Sequence, residues 1–155
     1  SKLNISKLEN TKKIADIFAK NIFKGNVILF YGEIGVGKTT FIKSLVNTLE
    51  KIDNKNISEI TSPTFSLMNQ YKLNKFDIHH YDLYRLKSEK DILSLNIFED
   101  ISDKIVLIEW PEILGEHKPR NTIDINFEYG ENFNSRYLTI SAYEKLKIFD
   151  EFKSL

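Results

Sequence analysis

The run Asn26-Val27-Ile28-Leu29-Phe30-Tyr31 is almost wholly apolar and breaks off at Gly32. The segment Gly32-Glu33-Ile34-Gly35-Val36-Gly37-Lys38-Thr39-Thr40 follows, with three glycines inside six residues. Phe41, Ile42, Leu45, Val46 and Leu49 then recur at helical spacing, predicting an amphipathic helix to about residue 50. An unbroken apolar run suits a strand covered on both faces, as in an α/β sheet. Strand, glycine-rich turn and helix in that order constrain the fold more than anything else in the chain.

Residues 32–39 fit the Walker A pattern G-x-x-x-x-G-K-[ST], and the strand before and helix after are the context it needs. Glycines let successive backbone N–H groups turn inward around a phosphate, and the helix start adds the positive end of its dipole. Lys38 is expected to reach the β and γ phosphates, and the Thr39 hydroxyl to ligate Mg²⁺. A glycine-rich turn with an incidental lysine is the bland alternative; motif and context agree independently against it. The chain is thus expected to bind a nucleoside triphosphate, with ATP/ADP and Mg²⁺ as its ligands. Asn74-Lys75-Phe76-Asp77 spells the guanine-reading string N-K-x-D, but it falls too soon after the loop, and no D-x-x-G occurs. It reads as a polar turn, and ATP is preferred.

The remaining pattern is α/β: a P-loop NTPase-like three-layer sandwich with a mixed parallel and antiparallel sheet. Ser6-Lys7-Leu8-Glu9 fits a capping box opening a first helix to about residue 20. Residues 66–72 and 75–83 read as a hairpin turning at Leu73-Asn74. Ser88–Leu95 reads as a short helix capped by Ser88 and Asp91. Lys104–Glu109 is a second buried strand, Thr122–Phe127 and Arg136–Ser141 are later strands, and Tyr143–Leu155 is a closing helix. At 155 residues without a linker or repeat, residues 1–155 are expected to form one domain. With 22 basic and 22 acidic residues the formal charge is zero, which argues against strong direct nucleic-acid binding. The absence of cysteine excludes disulfides, thiolate metal sites and cysteine catalysis. No apolar run has transmembrane length and the N-terminus lacks a signal-peptide core, so no membrane is expected and a cytoplasmic location is.

An ATPase of this type needs a carboxylate at the end of a neighbouring strand, and Ile105-Val106-Leu107-Ile108-Glu109 offers one. The alternative is a charge that merely ends a strand. Trp110-Pro111 follows, and Pro111 is expected to hold Trp110 extended. Trp110 is either core packing or a lid beside the nucleotide. Alternation places Phe76, Ile78, His80 and Asp82 on one strand face. Asp82 could orient an attacking water or hold a metal-bound one, or it could pair with Arg85 at the surface. His80 by itself reads as structural.

"YGEIGVGKTT", "TSPTFSL", "HHYDLYRL" and "IEWPE" occur in this order at short spacings. Together they resemble the TsaE (YjeE) family of small bacterial ATPases, over about residues 6 to 142. The resemblance implies a role in making threonylcarbamoyladenosine in tRNA, at the adenosine beside the anticodon. It implies TsaD and TsaB as partners, with tRNA met indirectly through that complex. ATP hydrolysis would drive the complex through its cycles, slowly alone and faster with partners, without the chain transferring the threonylcarbamoyl group itself. By the same resemblance Thr39 and Glu109 are the magnesium positions, Lys38 and its loop the phosphate cradle, and Asp82 the catalytic aspartate. Lys38 and Glu109 are counted with Asp82 in the catalytic set. Trp110 matches a functional tryptophan, and Ser62-Pro63-Thr64 a loop like a GTPase switch. Arg136 matches a basic residue near the nucleotide, and Thr11 a position near adenine. The doublet His79-His80 leaves open which histidine carries any family role.

Two other classes compete. A small P-loop kinase would need a lid with several arginines, whereas Arg85, Arg120 and Arg136 are the only arginines here. A non-catalytic module stabilised by ATP would need Lys38 but neither Asp82 nor Glu109. An arginine finger is worth about 10³–10⁵ in phosphoryl-transfer rate. None lies in the loop or the E-W-P strand, so ordering at a partner interface is expected to supply the missing stabilisation.

Overall fold

The computed structural model of the chain describes residues 2–142, 148–153 and 155. In chain order the elements are β1 (Lys2–Asn4), α1 (Leu8–Asn21), β2 (Val27–Tyr31), α2 (Lys38–Ile52), β3 (Met68–Lys72) and β4 (Asp77–Asp82). They continue with α3 (Glu89–Ser94), β5 (Lys104–Glu109), β6 (Thr122–Tyr129), β7 (Arg136–Ala142) and α4 (Ile148–Phe152). Short 3-10 segments lie at Ile101–Asp103 and Pro111–His117. Residues 143–147 of the expected closing helix lie outside the described residues.

One sheet of seven strands runs in the order β1-β7-β6-β2-β5-β4-β3. The central β6, β2, β5 and β4 are parallel, and β3, β7 and β1 are antiparallel additions at the two ends. This is the mixed sheet expected. Alternation along β2 explains its unbroken apolar run, since Ile28 and Phe30 face one core and Val27 and Leu29 the other. The first core packs α1, α2 and α4 against the sheet through Phe18, Phe41, Leu45 and Phe152. The second is thinner, covered by Ile92 of α3, Ile97 and Leu114. Helices on both faces make the three layers.

The Phe41 ring on α2 ties several elements together. It meets Phe18 of α1 edge-on at 5.5 Å, Phe127 of β6 at 6.0 Å and Phe30 of β2 at 5.9 Å between ring centres. Such pairs add about 0.5–1.5 kcal/mol each beyond burial. They fix the helix whose first turn carries Lys38 and Thr39.

The capping box at Ser6 does not form. α1 begins at Leu8 with Lys7 as its cap, and no side chain caps it. Ser6 Oγ instead accepts the Arg136 N–H at 3.0 Å, and the Ile5 N–H donates to the Arg136 carbonyl at 2.9 Å. The hydroxyl is claimed by the junction where β1 pairs with β7, with Leu3 opposite Leu138. β1 itself was not expected from the sequence. Ser88 does cap α3, accepting the Asp91 N–H at 3.3 Å. The N-K-x-D string is the β3–β4 turn. Asn74 donates its N–H to Asp53 at 2.6 Å, and Asp77 accepts from Gln70 at 3.0 Å. Among the described residues no helix is long and apolar enough to cross a membrane.

Candidate nucleotide site

The loop between β2 and α2 depends on glycine at two places. Gly32 has φ 145°, and a Cβ there would lie 2.9 Å from the Phe127 carbonyl oxygen and 2.9 Å from Val36 Cγ1. Gly37, at φ 122°, releases the chain into α2. A cavity of about 330 Å³ opens beside the loop, lined there by Ile34, Gly35, Gly37, Lys38, Thr39 and Thr40. Ser62, Thr64, Asp82, Tyr84, Glu109 and Trp110 complete the lining. Lys38 is buried; its ammonium donates to the Gly32 carbonyl and sits 3.6 Å from the centre of the Trp110 ring. Burial pushes the Lys38 pKa down, opposed by the charges of Glu109, Glu112 and Asp82.

Parallel pairing of β4 with β5 sets Asp82 opposite Glu109, so two buried carboxylates end neighbouring strands side by side. Thr39 Oγ1 donates to Glu109 Oε1 at 2.9 Å across 70 residues of sequence. The other oxygen, Oε2, lies 2.8 Å from His80 Nε2 and 3.3 Å from Ser62 Oγ. Ser62 Oγ also hydrogen-bonds Asp82, which accepts Thr64 Oγ1 at 3.3 Å and the Tyr84 N–H at 3.0 Å. A hydroxyl has one proton, so Ser62 can donate to only one of its two carboxylates at a time. Hydroxyls, one backbone N–H and one imidazole thus face two buried carboxylates. The Thr39 hydroxyl at the start of α2 and the Glu109 oxygen at the end of β5 are ligands of the kind Mg²⁺ takes, and the adjacent charge would favour a cation.

A family model described as "Threonylcarbamoyl adenosine biosynthesis protein TsaE" matches residues 5–138. The chain belongs to the TsaE family. It is similar to proteins named "tRNA threonylcarbamoyladenosine biosynthesis protein TsaE" from several bacteria. That of Rickettsia conorii is 37% identical over 137 residues, which span 88% of this chain and 75% of the relative. That of Rickettsia bellii is 40% identical over 120 residues, 77% of this chain and 81% of the relative. The relative from Nostoc sp. is 34% identical over 149 residues, 92% of this chain and 86% of its own length. The solved structure titled "Crystal structure of Bacillus subtilus YdiB" superposes with a TM-score of 0.71 at 22% identity. It covers 99% of this chain and 93% of that one, and carries the fold.

In this TsaE chain the expected site residues fall into two neighbouring cavities. Lys38, Thr39, Thr40, Asp82, Glu109 and Trp110 share the first. Thr11 and Arg136 line the second, of about 420 Å³, which meets the loop at Val36, Gly37 and Thr40. Glu33 points its side chain to solvent, and its carbonyl accepts the Val36 N–H at 3.3 Å. Arg85 lies over the Phe65 ring at 4.9 Å, Arg120 is exposed, and neither lines the first cavity. Trp110 is not extended, contrary to the rule for residues before proline. It adopts φ 58°, ψ 53°, and Pro111 opens the following 3-10 segment. That left-handed turn lays the indole against Lys38 and within 4.8 Å of the Tyr84 ring centre. Sequence reasoning passed over the Tyr84 N–H and the His80–Glu109 contact. The alternation that put His80 and Asp82 on one face was the available signal for the second.

Proposed function

We propose that this chain is a Mg²⁺-dependent ATPase in the synthesis of threonylcarbamoyladenosine in tRNA. Hydrolysis drives cycling of the TsaB–TsaD complex, which itself performs the transfer beside the anticodon. The observation that carries the reading is the Thr39–Glu109 contact. It joins the first helical hydroxyl after a phosphate loop to the acid ending the adjacent parallel strand. Family membership supports the pathway.

In this reading the N–H groups of Gly32–Thr40 and the Lys38 ammonium cradle the phosphates. Thr11 and Arg136 line the side cavity where the nucleoside sits. Thr39 and Glu109 would hold the magnesium ion, which would supply charge neutralisation for the phosphates. Asp82, held by Ser62, Thr64 and the Tyr84 N–H, orients a water and takes its proton as the water oxygen bonds to the γ-phosphorus. The γ-phosphorus bond to the bridging oxygen breaks, and ADP carries that electron pair away. Trp110 keeps Lys38 sheltered at the mouth. Neither Arg85 nor Arg120 reaches the cavity and Arg136 lines only its neighbour, which supports rate stimulation by ordering at a partner interface. With zero formal charge the chain meets tRNA through the complex, in the cytoplasm.

The test is ATP hydrolysis by the chain alone and with TsaB–TsaD and substrate tRNA, each beside Glu109→Ala. Stimulation that Glu109→Ala abolishes is the expected result. A rate indifferent to those partners would remove the coupling and leave only the nucleotide site.

A further inference from the structure

We infer that His80 is a positioning residue for Glu109, holding one carboxylate oxygen so that the other stays turned toward Thr39 and the metal position. The inference rests on the magnesium reading above and adds a residue to it. His80 has no exposed surface, and its Nε2 lies 2.8 Å from Glu109 Oε2. In the β4–β5 register His80 pairs with Leu107 and Asp82 with Glu109. His80 and Glu109 are therefore diagonal neighbours on one face, within reach of two long side chains.

The ring has little freedom to do otherwise. Tyr71 stacks on it at 6.5 Å and 29°, and its other nitrogen, Nδ1, has no hydrogen-bond partner among the described residues. We assign a proton to Nε2, because only a protonated Nε2 can donate to the carboxylate. Glu109 then has a separate donor for each oxygen: Thr39 Oγ1 on Oε1, His80 on Oε2. A carboxylate pinned on one side presents a single oxygen to a cation instead of swinging between one-point and two-point contact. Outer partners of ligating groups commonly change metal affinity about 10–100-fold when removed. His79, next in sequence, alternates to the opposite face, where it packs near Tyr81 at 6.4 Å. The doublet thus divides into one histidine tied to the site and one outside it.

The experiment measures Mn²⁺ affinity by water-proton relaxation enhancement, with a saturating non-hydrolysable ATP analogue, for the wild type and four variants. His80→Phe and His80→Asn, neither of which places a donor at the Nε2 position, should bind Mn²⁺ about 10–100-fold more weakly. His80→Gln, whose amide reaches that position, and His79→Gln should stay near wild type. Analogue affinity in EDTA should be unchanged throughout. Should the bulky phenylalanine prevent folding, the Asn and Gln pair carries the comparison. Equal Mn²⁺ affinity in wild type and His80→Asn would overturn the role of His80 and leave the metal reading intact. A wild type that binds no Mn²⁺ beside the analogue would overturn both.

Discussion

Lys38 and Asp82 sit at the same cavity but depend on different surroundings, so they should fail differently. Lys38 is held by the Gly32 carbonyl and the Trp110 face, at the start of α2. In the proposed function it contributes charge to ground-state phosphate binding. Asp82 ends β4 and accepts hydrogen bonds from Ser62, Thr64 and the Tyr84 N–H. Asp82→Asn keeps the shape and removes the proton acceptor. Calorimetric titration should show Mg·ATP affinity little changed in Asp82→Asn, while partner-stimulated turnover drops about 10²–10⁴-fold. Lys38→Met should lose the affinity itself. Normal turnover by Asp82→Asn would remove it from the chemistry and favour a module that binds ATP without using it. At this scale much was legible: the loop residues follow from a motif with a stated mechanism, and Glu109 from a strand ending in an acid. His80 was only half legible: alternation put it on the face of Asp82, but the register that sets Glu109 two residues along on the next strand is not written in the sequence.

α2 is the element on which the loop's geometry rests, and Phe41 is its anchor. The ring packs at once against residues of α1, β2 and β6. Truncating a buried phenylalanine costs about 3–5 kcal/mol, so Phe41→Ala should lower the unfolding free energy from urea titration, read by circular dichroism, by an amount of that size. A loss below about 1 kcal/mol would mean that the cluster closes over the gap. Elements with a strong period or an unbroken apolar run, α2, β2 and β5, were legible. Those settled by contacts across the sheet were not. β1 is three residues with only Leu3 partly covered, too short to show alternation. Ser6 looked like a cap but serves the β1–β7 junction. At Trp110 the local preference before proline yields to contacts with Lys38 and Tyr84.

On the scale of the whole molecule, sheet order does what sequence order cannot display. Thr39 and Glu109 are 70 residues apart and touch because β5 lies beside β2. Periodicity alone does not place them together; the loop motif's need for a carboxylate on a neighbouring strand, and the resemblance to a family, do. Global stability carries a pH signature from His79. Burial pushes its pKa below the usual 6.5, Lys104 adds to the shift, and Asp77 opposes it. The unfolded chain therefore binds a proton near and below pH 6.5 that the folded chain resists, so this contribution is complete above that pH and is lost as pH falls through it. Thermal melts between pH 7.5 and about 5.5 should show a smaller loss of Tm for His79→Gln than for the wild type. Equal losses would assign the acid sensitivity elsewhere.

The chain has one tryptophan, and the Lys38 ammonium rests 3.6 Å from its ring centre. An indole whose π face carries a cation emits differently from one that does not. A phosphate that draws Lys38 away should therefore alter the intrinsic fluorescence without any label. Lys38→Met should silence that response, and a spectrum unmoved by saturating nucleotide would mean that the lysine never leaves the ring. If the proposed function holds, the protein carries its own optical gauge of whether its phosphate loop is filled.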